Sequence, residues 1–188
     1  MKEEKTVFYP YSSWLKQRYG EKVYKLPVNL PVSCPNRCDG HGGCTFCSEK
    51  GTGFESVWQP ASVTEQMQHA RDVVAKRYKA RKFIAYFQNY TNTFMAMELF
   101  KAYLEEAAAF PDVVEISVST RPDCIRTDYL ACLAELQERT HVGINIELGL
   151  QTANYHTLDR VHRGHGLAEY IDAVLAIKRY PFTLCTHL

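Results

Sequence analysis

The sequence of 188 residues lacks the features that would assign a membrane, an export route or a polyanionic partner. No apolar run approaches the roughly 18–20 residues that a membrane-spanning helix needs. The N-terminal stretch MKEEKTVFYPYSSWLKQRYG has no apolar core and no small-residue cleavage site, so we predict no secretory signal and a cytoplasmic protein. The formal net charge is +1, which provides no overall attraction to nucleic acid or to membranes.

The chain also lacks internal repeats, low-complexity tracts and the cysteine pattern of a disulfide framework. Its seven cysteines are an odd number in a chain without an export signal, so structural disulfides are not expected. Cys124, Cys132 and Cys185 are scattered, and we predict that they are small buried apolar residues. A hydrophobic content of 46% predicts an ordinary globular domain with a sizeable core.

The pattern of apolar residues predicts strands and helices in alternation. Strands are predicted at 29–33, 82–88, 113–118, 142–149 and 182–188, and helices from 63 to 78, from 97 to 107, and at 128–139, 154–162 and 167–179. Ser62 and Glu65 form a capping box before the first helix, and Thr127 is the expected cap of helix 128–139. Strands that alternate with helices indicate parallel βαβ units, which fit a TIM-like barrel or an open doubly wound sheet.

Polar residues cluster directly after four of the predicted strands. A cysteine-rich loop follows the first strand, and polar segments at 88–93, 119–123 and 151–152 follow the next three. The carboxyl ends of parallel strands lie at one edge of a sheet, where α/β proteins place their binding and catalytic residues. The sequence therefore predicts a functional site at this edge.

The segment CPNRCDGHGGCTFC, residues 34–47, admits several kinds of site. A structural zinc ion would use four ligands, either all four cysteines or three cysteines with His41. A redox CxxC pair would use Cys44 and Cys47 alone and leave the other thiols unexplained. Three thiolates, Cys34 with Cys44 and Cys47, would hold an iron–sulfur cluster and leave one iron without a protein ligand.

The spacing C-x9-C-x2-C after a strand resembles that of radical S-adenosylmethionine (SAM) enzymes, in the variant that is also found in the Elongator catalytic subunit. The resemblance extends along the chain through YPYSSWLKQRYGEKVYKLPV, CPNR, GGCTFC, YFQNYTNTF, STRPDCI, ELGLQTAN and RGH. These segments together resemble a group of bacterial radical SAM proteins of undefined substrate.

The resemblance implies a [4Fe–4S] cluster on Cys34, Cys44 and Cys47, and SAM on the iron that lacks a protein ligand. One-electron reduction would cleave SAM into methionine and a 5′-deoxyadenosyl radical that acts on a substrate. The electron donor would be a protein such as flavodoxin or ferredoxin. The substrate is unknown, with RNA as one candidate because of the Elongator-like spacing. Cys38 is a departure from the family pattern, and we expect it to point away from the cluster.

The resemblance also implies SAM contacts. They are Phe46 near adenine, Gln88 or Asn89 at the amino group in place of the family's usual glycines, Ser119 and Thr120 at the ribose or amino group, Gln151 at the ribose hydroxyls and Arg163 at the carboxylate. An arginine suits the last role because its fixed fork of donors matches a carboxylate.

Some charged residues fit either a structural or a functional role. Arg121 and Asp123 pair with each other across Pro122 or belong to the site. Glu147 lies in a buried strand, where an unpaired carboxylate would be costly, so it pairs with Arg121 or Arg163 or faces the barrel lumen. Histidines that flank Arg163 are expected to be ordinary residues at a helix end.

The fold implied by the resemblance is a partial TIM-like (βα) barrel with parallel strands. Residues 1–28 would be an N-terminal extension that packs on the barrel, with the aromatic residues of 8–14 covering its bottom, and residues 29–188 would be the radical SAM core. Because the chain ends in an apolar run, we expect this core to be truncated after about five strands.

Overall fold

The structure, a computed structural model, describes residues 7–38, 40, 42–47 and 61–188. The loop predicted at 48–60 and the candidate ligand His41 lie outside the described residues. None of the described helices is both long enough and apolar enough to span a membrane.

Helices and strands alternate along the described chain. The helices are α1 (Tyr11–Tyr19), α2 (Pro35–Cys38), α3 (Val63–Tyr78), α4 (Met97–Ala108), α5 (Thr127–Thr140), α6 (Tyr155–Arg160) and α7 (Leu167–Ile177). The strands are β1 (Val23–Val28), β2 (Lys82–Phe87), β3 (Val113–Thr120), β4 (Gly143–Gly149) and β5 (Thr183–His187). A 3₁₀ turn, Pro122–Cys124, follows β3.

The five strands form one sheet in the order β1-β2-β3-β4-β5, and every neighbouring pair is parallel. Sequential order with a helical crossover between strands is the topology of a (βα) barrel rather than of a doubly wound sheet, whose strand order reverses. The partial TIM-like fold predicted from the sequence is confirmed.

The first strand was predicted at the wrong place. Residues 29–33 form no strand, because the backbone N–H and carbonyl of Leu30 pair with the side-chain amide of Asn89 instead of a neighbouring strand. Strand β1 lies earlier, at Val23–Val28, and contains Pro27, which an edge strand tolerates. The sheet therefore begins inside the range 1–28, although the division into extension and core stays a prediction.

The helix starts were predicted with mixed success. The Ser62 backbone N–H donates to the Glu65 carboxylate (2.8 Å) and the Glu65 N–H donates to the Ser62 hydroxyl (3.2 Å), which confirms the capping box. Thr127 is not a cap. Helix α5 begins at Thr127 itself, and Arg126 occupies the capping position without a side-chain hydrogen bond.

The hydrophobic core lies between the sheet and its helices. Alternate residues of each strand, among them Leu26, Phe83, Ile116 and Ile146, are buried there against α3, α4, α5 and α7. The opposite face of the sheet lines the barrel lumen, where the alternation places polar side chains. The packed outer layer thus holds the strands while the inner face is left for chemistry.

Helix α1 closes the amino-terminal end of the lumen. Leu15 packs with Val23 and Ile84, and the Tyr19 hydroxyl donates to the Glu115 carboxylate at 2.6 Å. Trp14 packs against the same cluster, as predicted. The preceding aromatic residues Phe8 and Tyr9 are exposed, so only part of the predicted aromatic arm packs on the barrel.

Candidate functional site

A cleft of about 400 Å³ opens at the carboxyl ends of the strands. Its walls bring together residues from the cysteine loop and from the ends of β2, β3, β4 and β5. The predicted site residues that line it are Cys34, Cys44, Cys47, Phe46, Gln88, Ser119, Thr120, Gln151 and Arg163. The expectation that the polar strand ends converge on one site is therefore met.

The three cysteines of the C-x9-C-x2-C pattern share this cleft. Cys34 directly precedes the single turn of helix α2, and Cys44 and Cys47 lie in a tight turn in which the Cys47 N–H donates to the Cys44 carbonyl at 3.0 Å. Thr45 donates its N–H to the Val161 carbonyl at 3.0 Å, which ties the turn to the segment after α6. The cysteine loop is thus anchored against the fourth βα unit.

Cys38 lies apart from the other three. It ends helix α2, is exposed, and has its sulfur 3.9 Å from the Ser33 hydroxyl. It is not among the residues that line the cleft. The expectation that Cys38 points away agrees with this placement. Of the scattered cysteines, Cys124 and Cys132 are buried as predicted, whereas Cys185 is only half-buried.

Buried nitrogen donors reach two of the three sulfurs. The Asn36 amide lies 3.3 Å from Cys44 Sγ, and Arg163 Nη1 lies 3.6 Å from the same sulfur. Arg121 Nη1 lies 3.6 Å from Cys34 Sγ. N–H donors and positive charge stabilise thiolates, which are the form that binds metals.

The protonation of the cysteine turn follows from these contacts. A hydrogen bond with the Cys47 thiol, opposed by burial and assisted by Arg163 and Asn36, lowers the pKa of Cys44 to about 5. The same bond to Cys44, together with burial, raises the pKa of Cys47. Within this pair the thiolate is therefore favoured on Cys44 rather than on Cys47.

Arg163 is a buried cation in the wall of the cleft. Its Nη2 donates to the Gly149 carbonyl at 2.6 Å, and its Nε has no hydrogen-bond partner among the described residues. No carboxylate of the described chain forms an ion pair with it. Gly149 permits this approach, because a Cβ there would lie 2.7 Å from Arg163 Nη2 and 3.0 Å from Gln151 Nε2.

Two residues of the cleft wall adopt the left-handed backbone region. Tyr90, after β2, has a φ of 52°, and Gln151, after β4, has a φ of 74°. Residues other than glycine are strained there, typically by about 1 kcal/mol or more. The Gln151 N–H donates to the His187 carbonyl at 2.8 Å, which holds the turn. Strain that is maintained in this way is commonly found at functional sites.

Some of the predicted polar residues hold the loops together. Asn89 is not among the residues that line the cleft, because its side-chain amide is buried against the backbone of Leu30. Asn92 donates to the carbonyls of Phe87, Asn89 and Ser119 and so fastens the loop after β2 to the end of β3. The Thr120 hydroxyl lies 2.6 Å from that of Thr93, so Thr120 has a structural contact although it also lines the cleft.

Glu147 forms the floor of the cleft and faces the lumen. It pairs with Lys25 at 2.5 Å and His187 at 2.8 Å, and it accepts hydrogen bonds from Tyr86 (2.8 Å) and Ser117 (2.9 Å). Burial alone would raise the pKa of Glu147, but the bonds from His187 and Lys25 outweigh it and hold this pKa at about 2. Hydrogen bonds with Cys185 and Glu147 raise the pKa of His187 to about 10.

This arrangement decides between the roles that the sequence left open for Glu147. It faces the lumen and pairs with Lys25 and His187 rather than with Arg121 or Arg163. Arg121 pairs with Asp123, its Nε and Nη2 lying 2.9 and 2.7 Å from the two carboxylate oxygens. Arg121 nevertheless lines the cleft, so the structural and the functional roles coexist.

Several cleft residues were not predicted from the sequence. They are Asn36, which reaches Cys44, and the lining residues Arg37, Tyr86, Gly149 and His187, whereas Tyr90 and Thr91 lie in the predicted polar segment 88–93. Asn36 and Arg37 lie between the cysteines of CPNRC, and this position in the sequence could have identified them as cleft residues. Tyr86 lies on the lumen face of β2, which the alternation along the strand could have identified.

The donor set fits an iron–sulfur cluster. Such clusters use cysteine thiolates, and buried N–H groups and guanidinium charge compensate the negative charge that they carry. The zinc alternative with four cysteine ligands would require the four sulfurs to lie about 3.8 Å from one another, because Zn–S bonds are about 2.3 Å long and point to the corners of a tetrahedron. Within the described ranges, no three His, Cys, Asp or Glu side chains are grouped so as to hold a single ion.

The fold and the cleft together define a class of protein: a parallel (βα) partial barrel with a cysteine-lined site at the carboxyl edge of its sheet. A comparison with protein families assigns it further, since residues 29–188 match the radical SAM superfamily. This chain belongs to the radical SAM superfamily. The particular C-x9-C-x2-C subgroup and the similarity to Elongator stay predictions.

Curated relatives match most of this chain. The chain is 37% identical over 177 residues to YtqA of Bacillus subtilis (strain 168). The alignment covers 93% of this chain and 54% of YtqA. It is 37% identical over 176 residues to YhcC of Escherichia coli (strain K12), covering 93% and 55%, and 30% identical over 183 residues to MJ0486 of Methanocaldococcus jannaschii, covering 97% and 56%. The chain thus spans about half the length of the curated relatives it matches.

A solved structure has a similar fold. The cobalamin-dependent S-adenosylmethionine radical enzyme OxsB, with aqua-cobalamin bound, superposes with a TM-score of 0.51. The sequence identity is 15%, and the match covers 85% of this chain and 23% of OxsB. At this identity the likeness shows the fold alone.

Proposed function

We propose that this chain is a radical SAM enzyme core that holds a [4Fe–4S] cluster on Cys34, Cys44 and Cys47 and binds SAM in the adjoining cleft. The bound cluster and SAM supply a one-electron reductive cleavage of the sulfonium, which yields methionine and a 5′-deoxyadenosyl radical. The chain's own residues bind and orient these groups and limit the access of water.

The observation that carries the proposal is the environment of Arg163. Arg163 is 6% exposed, and its guanidinium has no carboxylate partner in the described chain and retains a buried Nε without a partner. A buried charge left in this state is costly unless a ligand compensates it. Its neighbour Cys44 supplies one negative group, and the carboxylate of SAM is a second that a planar fork of donors fits.

The remaining contacts follow from the positions of side chains on the wall. Gln151, fixed by its strained turn, and Ser119 offer polar groups for the ribose, and Gln88 offers an amide for the SAM ammonium. Phe46 is 51% exposed between the two cysteines of the tight turn and offers a flat apolar surface to adenine. Asn89 would act indirectly, by fixing the backbone of Leu30 ahead of the cysteine loop.

The partners of the reaction stay predictions. An electron donor such as flavodoxin or ferredoxin and a substrate such as RNA are proposed from the resemblance stated above. The zinc alternative is also a prediction that still needs a test, since one of its ligand sets uses His41, which is not described. Anaerobic reconstitution distinguishes a [4Fe–4S] cluster from a zinc ion.

Anaerobic reconstitution with iron and sulfide tests the cluster. We expect about four iron and four sulfide per chain, broad visible absorption, and a reduced EPR signal that changes when SAM is added. Alanine at Cys34, Cys44 or Cys47 should abolish these signals, whereas the matched variant Cys38→Ala in the same loop should retain them. Stoichiometric zinc without iron or sulfide, or loss of the cluster in Cys38→Ala, would contradict the proposal.

The SAM site has a separate test. A charge-assisted hydrogen bond contributes about 1.5–3 kcal/mol, so Arg163→Gln should weaken SAM binding by roughly 10- to 100-fold. The cluster content should stay near that of the parent chain, because Arg163 is not a metal ligand. Arg160→Gln, on helix α6 three residues earlier, is the control. Unchanged SAM affinity in Arg163→Gln would exclude the assigned role.

A further inference from the structure

Arg121 is a buried guanidinium at the end of β3 that the proposed SAM contacts do not use. It is 3% exposed, lines the cleft and points Nη1 at Cys34 Sγ from 3.6 Å. We propose that Arg121, held in place by Asp123, donates an N–H···S hydrogen bond to the Cys34 thiolate and thereby raises the reduction potential of the cluster. This inference rests on the proposed function, since it requires the cluster.

The position of the guanidinium is fixed from two sides. Its Nε and Nη2 bind the two carboxylate oxygens of Asp123 at 2.9 and 2.7 Å, in the bidentate geometry that leaves Nη1 free to turn toward the sulfur. The segment after α6 closes over it at Gly164, where a Cβ would lie 3.1 Å from Arg121 Nη2 and 2.5 Å from the Asn36 side-chain oxygen. Gly164 has a φ of 74°, so both sterics and backbone conformation favour glycine there.

Charge balance assigns Arg121 and Arg163 to different tasks. Arg121 is already neutralised by Asp123, whose carboxylate is 2.7 Å away and only 25% exposed. Arg163 has no such partner among the residues that the structure describes. An anionic ligand therefore gains more at Arg163, whereas Arg121 contributes mainly an oriented N–H donor to the sulfur it faces.

The expected direction of the effect follows from electrostatics. Reduction adds one electron, so the reduced cluster is more negative than the oxidised one. An N–H donor at a ligand sulfur stabilises the more negative state and makes reduction easier, and hydrogen bonds to sulfur are among the established determinants of cluster potentials. Removal of the donor should consequently lower the midpoint potential and make the cluster harder to reduce.

The test is a redox titration of the reconstituted full chain, followed by EPR, on three variants. Arg121→Gln removes the donor and the charge, and we expect the reduction equilibrium to shift about tenfold, a fall of about 59 mV for a one-electron couple. Arg121→Lys keeps the charge but not the fork, and its potential should fall in the same direction by a smaller amount. SAM affinity should change little in either variant.

The matched control is Arg126→Gln. Arg126 forms an Arg-x-Asp pair of the same kind with Asp128, at 3.1 and 2.5 Å, five residues farther along the chain. Its side chain is 65% exposed, and no described contact joins it to a cysteine of the cleft. The midpoint potential of Arg126→Gln should equal that of the parent chain. This result would show that loss of an Arg–Asp pair without a contact to the cysteines does not change the potential.

Each outcome bears on the inference. A parent potential in Arg121→Lys would overturn the hydrogen bond in favour of charge alone, and a parent potential in Arg121→Gln would overturn any role in tuning. Loss of SAM binding without a shift in potential would make Arg121 a ligand-binding residue instead. If Arg121→Gln does not assemble a cluster, the midpoint potential of Arg121→Lys tests the inference in its place. Failure of the parent chain to assemble a cluster would refute the proposed function itself and is distinguishable by its iron and sulfide content.

Discussion

Replacing Glu147 by glutamine should destabilise the chain in a pH-dependent way. Glu147 is 2% exposed and is paired with Lys25 and His187, and these partners lower its pKa from 4.5 to about 2. Glutamine keeps the shape and one acceptor but removes the charge. The shift in pKa corresponds to a stabilisation of roughly 3 kcal/mol at neutral pH that the variant would lose.

The pH window follows from the sign of the shift. A carboxyl whose pKa is lower in the folded state stabilises the fold at pH values above its unfolded pKa of about 4.5, and this contribution disappears as the pH falls through about 2. The difference between the parent chain and Glu147→Gln should therefore be about 3 kcal/mol near pH 7 and roughly 2 kcal/mol near pH 3.5. It should continue to shrink at lower pH.

Urea unfolding followed by far-UV circular dichroism measures this difference, with the free energy of unfolding extrapolated to water at each pH. Glu138→Gln, a substitution of an exposed carboxylate on helix α5, is the matched control. A loss that is the same at both pH values, or that does not exceed that of Glu138→Gln, would refute the assignment of a buried, ionised carboxylate at the floor of the cleft.

Three further changes test separate contacts. Gly149→Ala puts a Cβ 2.7 Å from Arg163 Nη2, and we expect weaker SAM binding by equilibrium dialysis with little change in cluster content. Asn89→Ala removes two buried hydrogen bonds to Leu30 and should lower the unfolding free energy by about 2–4 kcal/mol in urea denaturation. Burial raises the pKa of Glu115 above 4.5 despite the hydrogen bond from Tyr19, so ionisation of this carboxyl destabilises the parent chain as the pH rises above about 4.5. Glu115→Gln should therefore raise the melting temperature near pH 8, and this gain should vanish near pH 4.

The sequence was sufficient to predict the architecture because the outer face of the sheet is strongly apolar. Strands such as Lys82–Phe87 and Val113–Thr120 were found within two residues, since their core-facing positions carry apolar residues such as Phe83, Ile116 and Val118. Strand β1 was missed for the opposite reason. Its residues VYKLPV mix a lysine that reaches into the lumen with a proline that only an edge strand accepts, so the local pattern was weak.

The three cysteines of the candidate site could be recognised in the sequence because they come from one loop. The spacing in sequence between Cys34 and Cys44 already restricts their distance in space. The spacing of the cysteines does not identify the donors that surround the sulfurs, because Arg121 directly follows β3 and Arg163 lies in the segment after α6. Asn36 is closer in sequence, but only the folded helix α2 turns its amide toward Cys44 rather than toward solvent.

Many of the cleft residues follow the alternation of side chains along their strand, although Thr120 also lines the cleft from the other phase of β3. Tyr86 faces the lumen, and two residues later Gln88 lines the cleft, whereas the intervening Phe87 is buried on the core side and Asn89 follows it there. The same period of two carries β4 from Glu147 through Gly149 to Gln151, all of which line the cleft.

On β3 this period leads from Ser117, which binds Glu147 at the floor, through Ser119 to Arg121 at the sulfur of Cys34. The alternation is thus consistent with the position of Arg121 on the lumen side. A residue type alone gives no such information, since Gln88 and Asn89 are both amides and adjacent in sequence. The phase of the strand decides which of the two reaches the cleft and which pairs with backbone.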